Sequence, residues 1–167
     1  MTVRTNSRLD DDLRSSVLSL VVFAIEGQRY ALNLPVVERV LPMAEVSPLP
    51  EAPAVALGVI NIHGQVIPVL DIRRRFGLPI RDYGLDTHLL VARTTRRTLA
   101  LPVDEVLGVQ EIAIEDVTLP ETVLPGIGRV EGIVTLPDGL LFIHNLSTFL
   151  SLDEERRLTK ALEAKGE

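Results

Sequence analysis

The stretch from Gly58 to Pro79 reads GVINIHGQVIPVLDIRRRFGLP and holds two apolar, β-branched runs separated by the short link 63–65. Two such runs joined by a link that contains glycine predict a β-hairpin. Asp71 follows the second run, where an aspartate can accept hydrogen bonds from the free N–H groups of a first helical turn. Gly77 and then Pro79 predict the end of that helix. The stretch therefore predicts strand, turn, strand and short capped helix, and it holds no pattern typical of catalysis.

A second stretch, Gly132 to Leu150 (GIVTLPDGLLFIHNLSTFL), predicts the same order of elements, with Asn145 in the capping position. Upstream of the two hairpins, LNLPVVERV from Leu32 to Val40 is similar to LALPVDEVL from Leu99 to Leu107. Chance similarity between two Val- and Leu-rich strands is the alternative explanation. The shared order of strand, proline turn, strand, long proline loop, hairpin and capped helix favours an internal repeat, with units at about 29–76 and 98–150.

The composition favours a mainly β fold with an aliphatic core. Of the 167 residues, 46% are hydrophobic but only 4% are aromatic, and there is no Trp or Cys. Val and Ile favour strands, and two copies of about five short strands predict two small closed or nearly closed β-barrels, because closure hides strand edges. A single sandwich of about ten strands is the alternative. The lack of cysteine excludes disulfides and cysteine-ligated metal sites.

The two ends of the chain have different characters. Residues 1–16 are polar and charged, and we expect a flexible leader before a double-barrel domain at 17–150. Residues 151–167 predict a C-terminal α-helix that begins with a capping box, S-x-x-E, at Ser151 and Glu154. We expect this helix to act as a strap on the barrels, with partner binding as the alternative. Its expected apolar face consists of Leu152, Leu158, Ala161 and Leu162, and the opposite charged side is expected to be solvated.

Charge and histidine spacing exclude several functional classes. A formal net charge of −6 argues against the broad basic surface that nucleic-acid binding needs. His63, His88 and His144 share no ligand-type spacing on one element, so we expect neither a metal site nor a cofactor. Arg73-Arg74-Arg75 predicts a solvated helix face, with a docking patch for an acidic partner as the alternative. The polar N-terminus and short apolar runs predict no signal peptide and no direct membrane insertion, hence a cytoplasmic protein.

The chain resembles the CheW family of chemotaxis coupling proteins. The resemblance is carried by LVVFAIEGQRYALNLPVVERVL, GVINIHGQVIPVLDIRRRFGLP, LALPVDEVLGVQE and GIVTLPDGLLFIHNLSTFL, and it covers about Leu18 to Leu150. It implies two intertwined, pseudo-symmetric, five-stranded SH3-like barrels with short capped helices, and no enzymatic activity. It also implies two partners, the regulatory domain of a CheA-type histidine kinase and the cytoplasmic tip of a chemoreceptor.

The chain departs from the family pattern at two places. His63 stands where family members typically have arginine. Arginine is always charged and can grip a carboxylate with two hydrogen bonds, whereas histidine near neutral pH cannot be relied on to do either. Arg39 stands where an acidic residue is common, although a one-residue shift would place Glu38 there. A divergent module that no longer couples a kinase is therefore the second interpretation, and a small ligand-binding or enzymatic barrel is the third.

The residues expected to contact partners come from the resemblance together with their places in turns. Burial in the core is the alternative for the valines. The expected contacts lie at the first proline turn and the central hairpin, and at the equivalent turn of the second copy: Val36, Val37, Arg39, Val40, Asn61, His63 and Gly64, then Val103, Asp104 and Val106.

Overall fold

A computed structural model describes residues 16–119 and 130–166, and it confirms the mainly β fold. Three short 3-10 turns, at Leu34–Val36, Ile114–Asp116 and Leu146–Thr148, link some of the elements. In chain order the described strands and α-helices are β1 Val17–Ile25, β2 Gln28–Asn33, β3 Val37–Pro42, β4 Ala56–Ile62, β5 Gln65–Leu70, α1 Ile72–Phe76, β6 His88–Arg93, β7 Thr98–Val103, β8 Glu105–Ala113, β9 Val117–Thr118, β10 Val130–Leu136, β11 Gly139–His144 and α2 Leu152–Gly166.

The strands form two sheets with matching orders. Sheet 1 runs β8-β1-β2-β11-β10-β9, and sheet 2 runs β3-β6-β7-β5-β4. In each sheet one internal pair is parallel, β2 with β11 and β5 with β7, and the other pairs are antiparallel. The hairpin β1–β2 therefore pairs with late strands of the chain, whereas β6–β7 pairs with early ones. The two sheets are intertwined through this exchange of hairpins.

The central hairpin folds as predicted, with a tighter turn. Ile62 pairs with Gln65, so the turn consists of His63 and Gly64 alone, and Gln65 belongs to β5. Both turn residues have positive φ angles, 50° and 87°. This conformation is typical of two-residue hairpin turns whose twist matches that of the strands. Asp71 caps α1 by accepting a hydrogen bond from the Arg73 N–H at 3.0 Å, and Gly77 ends the helix in the left-handed conformation.

Two glycines at corresponding places of the repeat lie where another chain segment passes close to the first hairpin strand. A Cβ atom on Gly58 would lie 2.2 Å from the Ser47 carbonyl oxygen. A Cβ atom on Gly132 would lie 2.5 Å from Cγ1 of Val117. Ser47 bridges to β4 and Val117 belongs to β9, which pairs with β10. Both glycines therefore allow a segment to cross the hairpin at the same point.

Each sheet curls around a small core of its own, and a larger core lies between the sheets. On β1, Leu20 and Val22 face the core of sheet 1, whereas Val21 and Phe23 face the central core. This alternation explains why β1 is apolar on both faces. In sheet 2, Leu41 of β3 and Ile62 of β4 pack against one cluster although they come from opposite ends of the strand order. The sheet edges therefore approach each other, as expected for barrels.

The C-terminal helix confirms the capping box and corrects the expected apolar face. The Ser151 Oγ accepts a hydrogen bond from the Glu154 N–H at 3.1 Å, and the Glu154 carboxylate accepts one from the Ser151 N–H at 2.9 Å. Leu158 and Ala161 are buried in the central core, but Leu152 is 63% exposed and does not contribute to it. Glu155, expected on the solvated side, is buried.

The connection after β8 is more regular than predicted. The sequence predicts an irregular segment over 113–128, but residues 114–116 form a 3-10 turn and Val117–Thr118 pair with β10. The absence of a side chain on Gly132 lets Val117 of β9 pack closely on β10. Residues 120–129 and the expected leader, except for Ser16, lie outside the described residues.

Candidate functional site

The first group of predicted contact residues lies along the outer edge of sheet 2. β3 occupies one end of the strand order and pairs with β6. Arg39 is exposed and Val40 is 40% exposed, whereas Val36 and Val37 are half-buried against the central core. Arg39 and Val40 are therefore the exposed members of this group, and the two other valines pack beneath the edge.

A β-bulge lies at Glu38 and Arg39, the two residues that compete for the acidic position of the family pattern. Val37 pairs with Ala92 and Arg39 pairs with the next residue, Val91, so Glu38 has no partner on β6. A bulge adds one residue to a strand and changes the direction of the side chains beside it. Both Glu38 and Arg39 are consequently exposed, and the edge carries a negative and a positive charge next to each other.

The second group lies at the turn between β4 and β5. The Asn61 Oδ1 accepts a hydrogen bond from the Gly64 N–H at 2.8 Å, which holds the turn closed. Asn61, His63 and Gly64 are all exposed. His63 therefore projects from a rigid two-residue turn. The two groups lie on different elements of sheet 2, the strand β3 and the β4–β5 turn. No hydrogen bond or ion pair in the described ranges joins them.

The residues of the third group are buried or engaged within the protein. Val103 has no exposed surface and lies in the central core, so it drops out of the candidate set. Val106 is half-buried against the same core. The Asp104 carboxylate is occupied within the protein, since it accepts hydrogen bonds from Arg73 and from the Glu26 N–H.

Arg73 is buried at the junction of the two sheets, and neither interpretation of the arginine run predicted this. Its Nη2 donates to Oδ1 and Oδ2 of Asp104 at 2.7 and 2.9 Å. Its Nη1 donates to the Glu26 carboxylate and, at 3.1 Å, to the Pro79 carbonyl oxygen. We call Arg73, Glu26 and Asp104 the Arg73 clamp. Consecutive helical side chains point about 100° apart, so the three arginines of this five-residue helix point in different directions, and Arg73 points into the protein.

The Arg73 clamp joins the two sheets electrostatically. Glu26 connects β1 and β2 of sheet 1, whereas Arg73 lies on α1, directly after β5 of sheet 2. Burial raises the pKa of Asp104, but the hydrogen bonds from the Glu26 N–H and Arg73 outweigh it and hold this pKa below its usual value. The carboxylate is therefore charged at neutral pH, and the clamp fixes how the sheets sit against each other.

The other two arginines of the run also make internal contacts. Arg75 donates to the Glu154 carboxylate of α2 at 2.5 Å and lies 5.6 Å above the centre of the Phe149 ring. Arg74 is half-exposed, donates to the Ala54 carbonyl oxygen at 2.9 Å and lies 3.5 Å from the Asp71 carboxylate. The run therefore holds α1 against its neighbours, which leaves little of it free for docking.

His144 lies in an aromatic cluster at the centre of the protein. Its ring centre is 4.9 Å from that of Phe76 and 5.4 Å from that of Tyr30. Burial lowers the pKa of His144 to about 4, and its Nε2 is buried without a hydrogen-bond partner. The imidazole is therefore neutral at physiological pH and acts as an aromatic core residue.

Groups suited to metal binding or membrane insertion are not found in the described part of the chain. Within residues 16–119 and 130–166, no three His, Cys, Asp or Glu side chains come together as metal ligands would. No helix in the same ranges combines the length and the apolar character that a membrane span requires.

Comparison with known proteins agrees with this architecture. The family model described as "CheW-like domain" matches residues 19–154, which include strands of both sheets. The chain is 30% identical to the chemotaxis protein CheW of Helicobacter pylori over 139 residues, which is 82% of this chain and 84% of that protein. It is 30% identical to the chemotaxis protein CheW of Rhizobium meliloti over 98 residues, 59% of this chain and 63% of that protein.

A solved structure supports the same assignment. The crystal structure of the scaffolding protein TtCheW from Thermoanaerobacter tengcongensis superposes with a TM-score of 0.74 at 28% identity. The match covers 82% of this chain and 94% of the solved one. Sequence and fold thus agree over nearly all of the described residues, and the chain belongs to the CheW family.

Proposed function

We propose that the protein is a non-catalytic cytoplasmic adaptor that couples a chemoreceptor-type protein to a CheA-type histidine kinase. The observation that carries this proposal is the family match over residues 19–154, which includes strands of both sheets. The relatives named above are chemotaxis proteins, and the solved one is a scaffolding protein. An adaptor needs two contact surfaces in a fixed relation, and intertwined sheets held by the Arg73 clamp supply a rigid frame for them.

The edge strand β3 is the best supported contact surface. Val40 is 40% exposed beside Arg39 and Glu38. β3 stands at the end of the strand order of sheet 2, where it is hydrogen-bonded to β6. Apolar area at the centre of a contact supplies affinity, and charged residues around it fix the orientation. Val36 and Val37 pack beneath the edge and keep its position. We propose that this strand binds one partner through Val40.

The β4–β5 turn is a second proposed contact surface. Asn61 holds the turn, so His63 is presented without the entropic cost of ordering a mobile loop. A neutral imidazole donates one hydrogen bond and accepts another, whereas arginine only donates. Recognition at this turn is therefore expected to differ from that of relatives with arginine here.

The rival interpretation is a CheW-like module that no longer couples a kinase. His63 and Arg39 favour this alternative, because both depart from the family pattern on exposed positions. An enzymatic barrel is less well supported. The strongly interacting ionisable groups, the Arg73 clamp and the Asp71–Tyr83 hydrogen bond of 2.5 Å, satisfy each other within the fold.

A capture experiment from the native cell separates the two main interpretations. The tagged full chain is expected to retain both a CheA-type kinase and a chemoreceptor. Val40→Glu is expected to weaken binding of one of them roughly tenfold, because it places a charge in the apolar centre of the contact. Leu85→Glu is the matched control, since Leu85 is fully exposed in a loop. Recovery of neither partner, under conditions in which a standard coupling protein recovers both, would refute the adaptor assignment.

A further inference from the structure

A groove of about 780 Å³ lies between the β6–β7 turn and the outer face of α2. Arg97 forms its floor by tying the two elements together. The Arg97 Nη2 donates to the Glu155 carboxylate at 2.7 Å and to the Thr159 Oγ1 at 2.8 Å. On the inner face of the helix, Leu158 and Ala161 are buried in the central core. The walls of the groove are therefore held in a fixed relation.

The open side of the groove is cationic. Arg96 on the turn and Arg156, Arg157 and Lys160 on the helix line it, and all four are exposed. None of them has an ion-pair partner within residues 16–119 or 130–166. Arg97 pairs with Glu155, so the other carboxylates that line the groove are those of Asp153 and Glu163. Positive charge thus prevails locally on a chain whose formal net charge is −6.

We propose that this groove docks an acidic, extended segment of a partner protein. Arg156 and Lys160 are one helical turn apart, about 6 Å along the axis. Carboxylates on alternate residues of an extended chain are about 7 Å apart, so two of them can meet two of the groove cations. No aromatic side chain lines the groove, and single-stranded nucleic acid relies on such side chains for stacking. A peptide fits this chemistry better than a nucleic acid does.

The test uses a fluorescein-labelled oligoglutamate peptide and the full chain in an anisotropy titration. The peptide is expected to bind at low ionic strength and to weaken as salt approaches about 0.15 M, where charges more than about 8 Å apart are screened. Arg156→Glu/Lys160→Glu is expected to weaken binding roughly tenfold or more. The matched control is Arg93→Glu/Lys165→Glu, which changes the net charge equally at exposed residues that do not line the groove. Circular dichroism checks that all variants fold.

Several outcomes would overturn the proposal. Lack of oligoglutamate binding at low salt would mean that the cations form an ordinary solvated face. Equal loss of affinity in the control variant would mean non-specific attraction. An oligothymidylate competitor that displaces the peptide at lower concentration than unlabelled oligoglutamate would assign the groove to nucleic acid instead.

Discussion

Replacing Arg73 by methionine removes the cation of the Arg73 clamp and keeps a side chain that can fill the buried space. Loss of one partner of a buried ion pair costs about 3–5 kcal/mol, because the remaining charge is left uncompensated. The Arg73 side chain is only 2% exposed, but those of Glu26 and Asp104 are 29% and 30% exposed. Water can partly solvate the two carboxylates, so we expect the lower end, a loss of about 3 kcal/mol in the free energy of unfolding.

Urea and thermal unfolding followed by circular dichroism measure this effect. For a chain of this size, about 3 kcal/mol lowers the Tm by roughly 6–12 °C. Arg93→Met is the matched control, since Arg93 is exposed on β6, and its loss is expected to change stability by about 0.5 kcal/mol or less. Arg73→Met should also cost less in an Asp104→Asn background, because one uncompensated charge has gone. If Arg73→Met and Arg93→Met were equally stable, the clamp would not hold the sheets together.

Three further predictions concern His144 in the core, Gly58 on the first strand of the central hairpin, and His63 in the β4–β5 turn. Burial lowers the pKa of His144 to about 4 from 6.5, so the unfolded state takes up the proton first and stability falls as pH drops from 6.5 towards 4. Urea unfolding should show a loss of about 2 kcal/mol between about pH 7 and pH 5 that His144→Phe abolishes; an unchanged pH profile would contradict this. Gly58→Ala should lower the free energy of unfolding by about 2 kcal/mol or more, because its Cβ would meet the Ser47 carbonyl oxygen. Gly64→Ala, whose Cβ would meet nothing within 4 Å, should lower it by about 1 kcal/mol. Equal losses in the two variants would count against the close approach of Ser47 to Gly58. His63→Arg should change the affinity of the protein for the chemoreceptor or for the kinase, as measured by calorimetry. Unchanged affinities for both would mean that the β4–β5 turn contacts neither partner.

Local patterns in the sequence predict the local structure well. The Gly58–Pro79 stretch predicts a hairpin and a capped helix, because strand alternation, turn residues and capping residues act over a few positions. The capping box at Ser151 and Glu154 is confirmed for the same reason. The equivalence of Gly58 and Gly132 also follows from the repeat. The structure supplies the cause, because a different segment passes close to each hairpin at its glycine, Ser47 at Gly58 and Val117 at Gly132.

Properties that depend on distant partners could not be predicted in this way. The exchange of the β1–β2 and β6–β7 hairpins between sheets joins residues far apart in the chain. The burial of Arg73 requires Glu26 and Asp104 to converge on it, and the sequence shows only a basic run. Val103 ends β7 inside the central core, where the repeat alone suggested an exposed turn. The candidate site loses Val103 and Asp104 for these reasons.

The most direct test of the adaptor proposal is a reconstitution with purified components. The regulatory domain of a CheA-type kinase and the cytoplasmic tip of a chemoreceptor from the same cell are mixed with and without the full chain, and the complexes are separated by sedimentation. The kinase domain is expected to sediment with the receptor tip only when the chain is present, in a complex containing all three. Binding of neither component, or of one to the exclusion of the other, would contradict the proposal.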